Sequence, residues 1–164
     1  MTHVSLALRN LLFTVVVPGS GGVLVPWLLL LTRSGATPAP RAWYAALVIA
    51  AGVVLYLACV RVFAVAGRGT PGPWDPPQRL VAIGPYRWVR NPIYLAALLV
   101  VLGEAWLFLS LLLLEYAAAA AIFFHLLVIG YEEPKLRRTF GETYVEYSRT
   151  VPRWIPRRPK RATG

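Results

Sequence analysis

The chain has 164 residues, of which 57% are hydrophobic and only 15% charged, against about 25% charged in ordinary globular proteins. One domain of that length cannot hide so much apolar surface in a water-soluble core, which excludes a disordered chain, a cytosolic enzyme and a disulfide-stapled secreted scaffold. The net charge of +10 would suggest nucleic acid on a soluble protein, but on a membrane protein it reports orientation and anionic lipid headgroups.

A membrane-spanning helix requires about 20 apolar residues. Leu11–Leu31 supplies 21 without a charge, interrupted by Pro18-Gly19-Ser20-Gly21-Gly22. Such a break is tolerated where neighbouring helices satisfy the freed backbone groups. Ala42–Gly67 is the second span, with Arg61 its only charge. Ile93–Tyr131 then runs 39 residues with only Glu104, Glu115 and His125 titratable. That length predicts two helices back to back, turning at Gly103-Glu104. The expected fold is therefore all-α: a single domain over 1–164 with about four spans, near 11–31, 42–67, 92–104 and 107–131.

Basic residues set the topology. With four spans, Arg9, the loop carrying Arg68, Arg79, Arg87 and Arg90, and the tail from Lys135 to Arg161 share one side. That side holds fourteen basic residues, and the other holds only Arg33 and Arg41. The positive-inside rule makes the rich side, and both termini, cytoplasmic. Beyond the fourth span, Glu132–Arg138 reads as a charged continuation of the same helix. After Gly141, Tyr144, Tyr147 and Val151 mark a short amphipathic helix. Trp154 and Ile155 beside Arg153, Arg157 and Arg158 suit the headgroup region.

Several segments could carry chemistry. Gly67-Arg68-Gly69-Thr70-Pro71-Gly72 matches G-x-G-x-x-G, but the dinucleotide motif requires a preceding strand and an immediate helix. A membrane helix precedes it here, and Pro71, Pro73, Pro76 and Pro77 forbid a helix, so it reads as a linker. Residues 78–94 crowd polar and aromatic side chains against the start of the third span. Asn91 is placed to cap that helix and Pro92 to open it. A helix N-terminus flanked by Arg87 and Arg90 favours an anion. Glu132 and Glu133 sit at the opposite end of a long helix, where the dipole disfavours negative charge. They are either neutralised by Lys135, Arg137 and Arg138 or face a cationic ligand. His125 lies two turns before Glu132 on the same face, as a packing residue or a cavity base. Arg61 either snorkels or binds substrate.

Gly84-Pro85-Tyr86, Arg90-Asn91-Pro92-Ile93-Tyr94, Glu132-Glu133, Phe140-Gly141, Tyr144, Tyr147 and Val151–Pro156 together resemble the isoprenylcysteine carboxyl methyltransferase family, to which phospholipid N-methyltransferases are related. The resemblance covers about residues 71–156. It implies an integral membrane enzyme that uses S-adenosylmethionine without a Rossmann domain. The family's cofactor motif falls on Gln78, Arg79, Leu80 and Val81, then on Tyr86, on Arg90, Asn91, Pro92, Ile93 and Tyr94, and on Glu132 and Glu133. Gln78 and Asn91 each replace a histidine of the family pattern, and both can still hydrogen-bond. Val128 stands where the prenylcysteine branch carries a substrate-contacting arginine, so a prenylcysteine substrate does not follow from the resemblance.

The donor's own groups have partners in these segments. Arg90 and the helix start suit its carboxylate, Glu132 its ammonium, the ring of Tyr86 or Tyr94 its cationic charge, and Leu80 and Val81 the adenine. The expected acceptor is lipophilic and enters from the bilayer. An ionised carboxylate acceptor needs no base, whereas an amine must lose a proton, with His125 or Glu133 as the candidate. No nucleic acid, and no metal, is expected as a partner. Two readings compete: a membrane reductase whose basic loop binds NADPH, and a non-enzymatic four-helix transporter.

Overall fold

The computed structural model describes residues 14, 16, 18–34, 40–67 and 79–158. Among them every regular element is helical and no strand occurs. Helix α1 (Val25–Ser34) follows a π-helical turn at Ser20–Leu24. Helix α2 (Ala46–Val62) is extended by a 3-10 turn at Trp43–Ala45 and a π-helical turn at Phe63–Gly67. Helix α3 spans Pro92–Leu107 and α4 spans Leu111–Leu127. A π-helical turn at Val128–Glu132 carries α4 into α5 (Glu133–Phe140), and α6 is Glu142–Thr150.

Two continuous helices, Trp43–Val65 and Leu111–Phe140, are long and apolar enough to cross a membrane; Ser20–Thr32 and Pro92–Leu107 are apolar but shorter. The apolar side chains of the long pair point mostly outward. Leu47, Val54 and Leu57 on α2 are exposed, as are Ile122, Phe123 and Leu126 on α4. Water would penalise that arrangement and lipid favours it.

Chain continuity follows the predicted pattern in three places. Prolines and glycines at 18–22 do not stop the first helix, which stays helical through the π turn. The Tyr116 hydroxyl donates to the Gly21 carbonyl at 2.8 Å, satisfying one backbone group that the break frees. Leu111–Phe140 runs unbroken, so the charged stretch does extend the long apolar helix. Helix α6 carries Tyr144 and Tyr147 on one face, and Gly141, at φ 55°, makes the turn that admits it.

The turn predicted at Gly103-Glu104 is corrected: α3 continues to Leu107 and the chain reverses at 108–110. Leu109 takes a positive φ of 49°, and the Ser110 N–H reaches back to the Ala105 carbonyl at 2.9 Å, a Schellman-type stop. Ser110 then accepts from the Leu113 N–H and caps α4. Gly103 lies inside α3, where it lets α2 approach: a Cβ there would lie 2.6 Å from Ile49 Cγ1.

Gly52 serves the same contact from the α2 side. A Cβ at Gly52 would lie 2.9 Å from the Ala96 carbonyl oxygen, a backbone atom, and 2.9 Å from Val100 Cγ2. Alanine gains up to about 1 kcal/mol in helix propensity, but overpacking against backbone costs about 1–3 kcal/mol. Gly52→Ala is therefore expected to lower the thermal unfolding midpoint in detergent. An unchanged or raised midpoint would mean that α2 and α3 part without cost.

Candidate functional site

One end of this bundle is assembled from three segments distant in sequence. Residues 79–91 approach α2 through the 3-10 turn Gly84–Arg87. The helix α4–α5 brings Glu132 and Glu133. The third segment is α6 with the strap 151–158 that follows it. The strap is pinned along the loop: Arg90 N–H donates to the Pro152 carbonyl at 2.9 Å, Arg157 N–H to the Trp88 carbonyl at 3.0 Å, and Asn91 Nδ2 to the Arg153 carbonyl at 3.1 Å. Tyr147 Oη donates to the Tyr86 carbonyl at 2.7 Å.

Two cavities result. The smaller, of about 70 Å³, is lined by Leu80, Val81, Tyr86, Arg90, Asn91, Glu132 and Glu133, together with Phe63, Val128, Leu136, Phe140, Tyr144 and Tyr147. It has room for a carboxylate-sized group or a few waters, so its walls must part to admit a larger ligand. The larger cavity, of about 370 Å³, lies among the helices and is predominantly apolar; Ile93, Tyr94, Val100, Tyr116 and Phe124 line it, and among the described residues no Lys or Arg does.

Tyr94 and Glu132 mark where the two meet. Tyr94 lines the larger cavity and Glu132 the smaller, and the Tyr94 hydroxyl donates to Glu132 Oε1. The Tyr94 ring stacks on Phe124 with centroids 4.6 Å apart and lies 6.5 Å from Trp154. Glu132 lies just past the apolar part of its helix. Burial holds its carboxyl above the ordinary range, against the opposing Tyr94 hydrogen bond and Lys135 charge.

Glu133 is bound from two sides. Arg153 grips it as a fork, Nε to Oε1 at 2.6 Å and Nη2 to Oε2 at 3.0 Å, and Arg90 Nη1 donates to Oε1 at 3.0 Å. Burial alone would raise its carboxyl, but the Arg153 hydrogen bonds with the charges of Arg90, Arg153 and Arg137 prevail and lower it. An anion held by two guanidiniums is a poor proton acceptor, which speaks against the expectation that Glu133 acts as a base. Two buried polar atoms beside the smaller cavity have no partner at hydrogen-bonding geometry among the described residues, Arg90 Nε and the Tyr86 hydroxyl. The Tyr86 hydroxyl lies against the Cys59 thiol, and burial holds it well above its ordinary range. Orphaned polar atoms at one cavity are what a polar ligand would satisfy.

The remaining predicted residues fall as follows. Pro92 occupies the first turn of α3, as predicted. Asn91 precedes it but does not cap the helix through its side chain, which is spent on the strap. Arg79 is exposed and lines neither cavity, and Gln78 and residues 68–72 of the glycine-rich motif lie outside the described residues. His125 is exposed, lines neither cavity, and accepts from Trp154 Nε1 at 3.0 Å through Nδ1. A base must reach the proton it takes, so this position speaks against His125 in that role. Arg61 is exposed on the last turn of α2 and lines neither cavity. Sequence reasoning did not assign site roles to Tyr144, Tyr147 and Arg153. The first two were legible as one helix face, but a strap without periodicity gives no such signal.

A model of the family described as phospholipid methyltransferase matches residues 40–143, more than half of the chain. No curated protein and no solved structure matches.

Proposed function

The chain belongs to the phospholipid methyltransferase family, a family of membrane methyltransferases, and from that premise we propose that it methylates the amine head of a membrane lipid with S-adenosylmethionine as donor. The observation that carries the reading is the junction at Tyr94 and Glu132, with charged groups on one side and an apolar cavity on the other. When bound, S-adenosylmethionine supplies an already activated methyl carbon. Arg90, with its unpartnered Nε, would hold the donor's carboxylate, Glu132 its ammonium, and Leu80 and Val81 an apolar edge.

The acceptor enters from the bilayer, with its chain in the larger cavity and its head at Tyr94. An amine suits that end better than a carboxylate. Among the described residues no basic one lines the larger cavity, and buried Val128 supplies none where the prenylcysteine branch carries an arginine. A carboxylate left there unpaired would cost several kcal/mol. The aromatic faces of Tyr94 and Trp154 and the carboxylate of Glu132 favour a cation. Before attack the amine must shed its proton, and Glu132 is the lining carboxylate not held by an arginine. Alignment and exclusion of water by the packed rings supply the remaining catalysis.

The same reading places four crossings in the membrane with both termini cytoplasmic, as the basic residues favour, and sets Trp154, Ile155, Arg157 and Arg158 among anionic headgroups. Calorimetric titration of the detergent-solubilised protein with S-adenosylhomocysteine and with NADPH tests the donor. Binding of the first alone is expected. Binding of NADPH alone would favour a reductase, and binding of neither would leave a transporter.

A further inference from the structure

Arg153 lies beyond residues 40–143 that the family model matches, yet its guanidinium is the largest contributor of hydrogen bonds to the best-satisfied carboxylate in the site. Glu133 is 7% exposed and carries one negative charge between two guanidiniums. If Arg90 alone faced Glu133, the pair would be neutral and Arg90 would present little charge to the cavity. With Arg153 taking both carboxylate oxygens, the cluster carries one net positive charge. The part of Arg90 that Glu133 does not use, Nε, is buried beside the cavity without a partner among the described residues. The strap fixes Arg153 through backbone contacts on both sides of it, Pro152 to Arg90 and Arg157 to Trp88. Its own carbonyl accepts from Asn91.

We propose that Arg153 is a positioning residue that supplies the counter-charge of Glu133 and so keeps Arg90 available as a net cation for the carboxylate of the methyl donor. The proposal rests on the donor reading above. In this arrangement the strap serves the binding charge as well as closing the loop. A purely structural arginine would act through packing and backbone alone.

The test is titration of full-length protein in detergent with S-adenosylhomocysteine, comparing wild type, Arg153→Lys, Arg153→Gln and the double variant Arg153→Gln/Glu133→Gln. Arg153→Lys keeps the charge and is expected to bind within about threefold of wild type. Arg153→Gln is expected to lose at least tenfold. The double variant removes the charge that Arg153 balanced and is expected to recover most of that loss, which no packing role predicts. A double variant as weak as Arg153→Gln, or an Arg153→Gln protein that binds like wild type, would overturn the proposal. If Arg153→Gln does not fold, the double variant must still fold and bind, and its failure would equally overturn it. Absence of binding to wild type would instead sink the donor reading itself.

Discussion

Arg90→Ala is expected to weaken S-adenosylhomocysteine binding by at least 100-fold, the largest effect of any single substitution in the site. Among the described residues Arg90 is the only basic one lining the smaller cavity. It holds Glu133 at 3.0 Å, approaches Tyr144 Oη at 3.4 Å, and leaves Nε without a partner among the described residues. Its loss removes a charge-assisted hydrogen bond to the ligand, worth about 1.5–3 kcal/mol. It also removes the net positive charge of the cluster, and breaking a buried pair adds further cost. Together these exceed about 2.7 kcal/mol, which corresponds to 100-fold. Arg90→Lys keeps the charge but cannot reach Glu133, Tyr144 and a ligand from one planar group, so it is expected to recover only part. Calorimetric titration reads both, and an Arg90→Ala affinity within threefold of wild type would remove Arg90 from the site.

The second large effect is at Glu132. Glu132→Gln is expected to weaken S-adenosylhomocysteine binding by about 1.5–3 kcal/mol, roughly 10- to 100-fold, as a charged hydrogen bond becomes a neutral one. Because burial raises this carboxyl, wild-type affinity is expected to fall at a less acidic pH than for an ordinary glutamate, as protonation removes the charge. The Gln variant is expected to lose that pH dependence. Unchanged binding with a loss confined to turnover would mean that Glu132 takes the acceptor's proton and does not anchor the donor.

Much of the fold was legible because apolar length and charge position are one-dimensional signals. The long helices at Trp43–Val65 and Leu111–Phe140 follow from long apolar runs with few charges, and Pro92 marks the start of α3 by its missing N–H. The turn between α3 and α4 was misplaced because Gly103-Glu104 looks like a break, whereas the chain stops α3 with a leucine in the left-handed region. Gly103 is needed for close approach to Ile49, and no single-chain pattern distinguishes a packing glycine from a turning one.

The site divides in the same way. Arg90, Asn91, Tyr86, Glu132 and Glu133 converge, as their clustering in two short segments suggested. Their partners could not be read. Which of two adjacent glutamates faces an arginine depends on helix rotation, and the π turn at Val128–Glu132 alters that rotation. It directs Glu133 to Arg90 and Arg153, and Glu132 to Tyr94. His125 shares a helical face with Glu132 in a regular helix, but that turn intervenes, and His125 meets Trp154 outside both cavities.

The central claim is tested most directly by methyl transfer itself. Full-length protein in vesicles of a total lipid extract would receive S-adenosylmethionine labelled in its methyl group, with N-acetyl-farnesylcysteine supplied in a parallel reaction. The expected result is label in amine-bearing lipid, reduced by Arg90→Ala and Glu132→Gln, and little label in the prenylcysteine. Label in the prenylcysteine ester alone, or no label in any lipid while S-adenosylhomocysteine still binds, would contradict the claim.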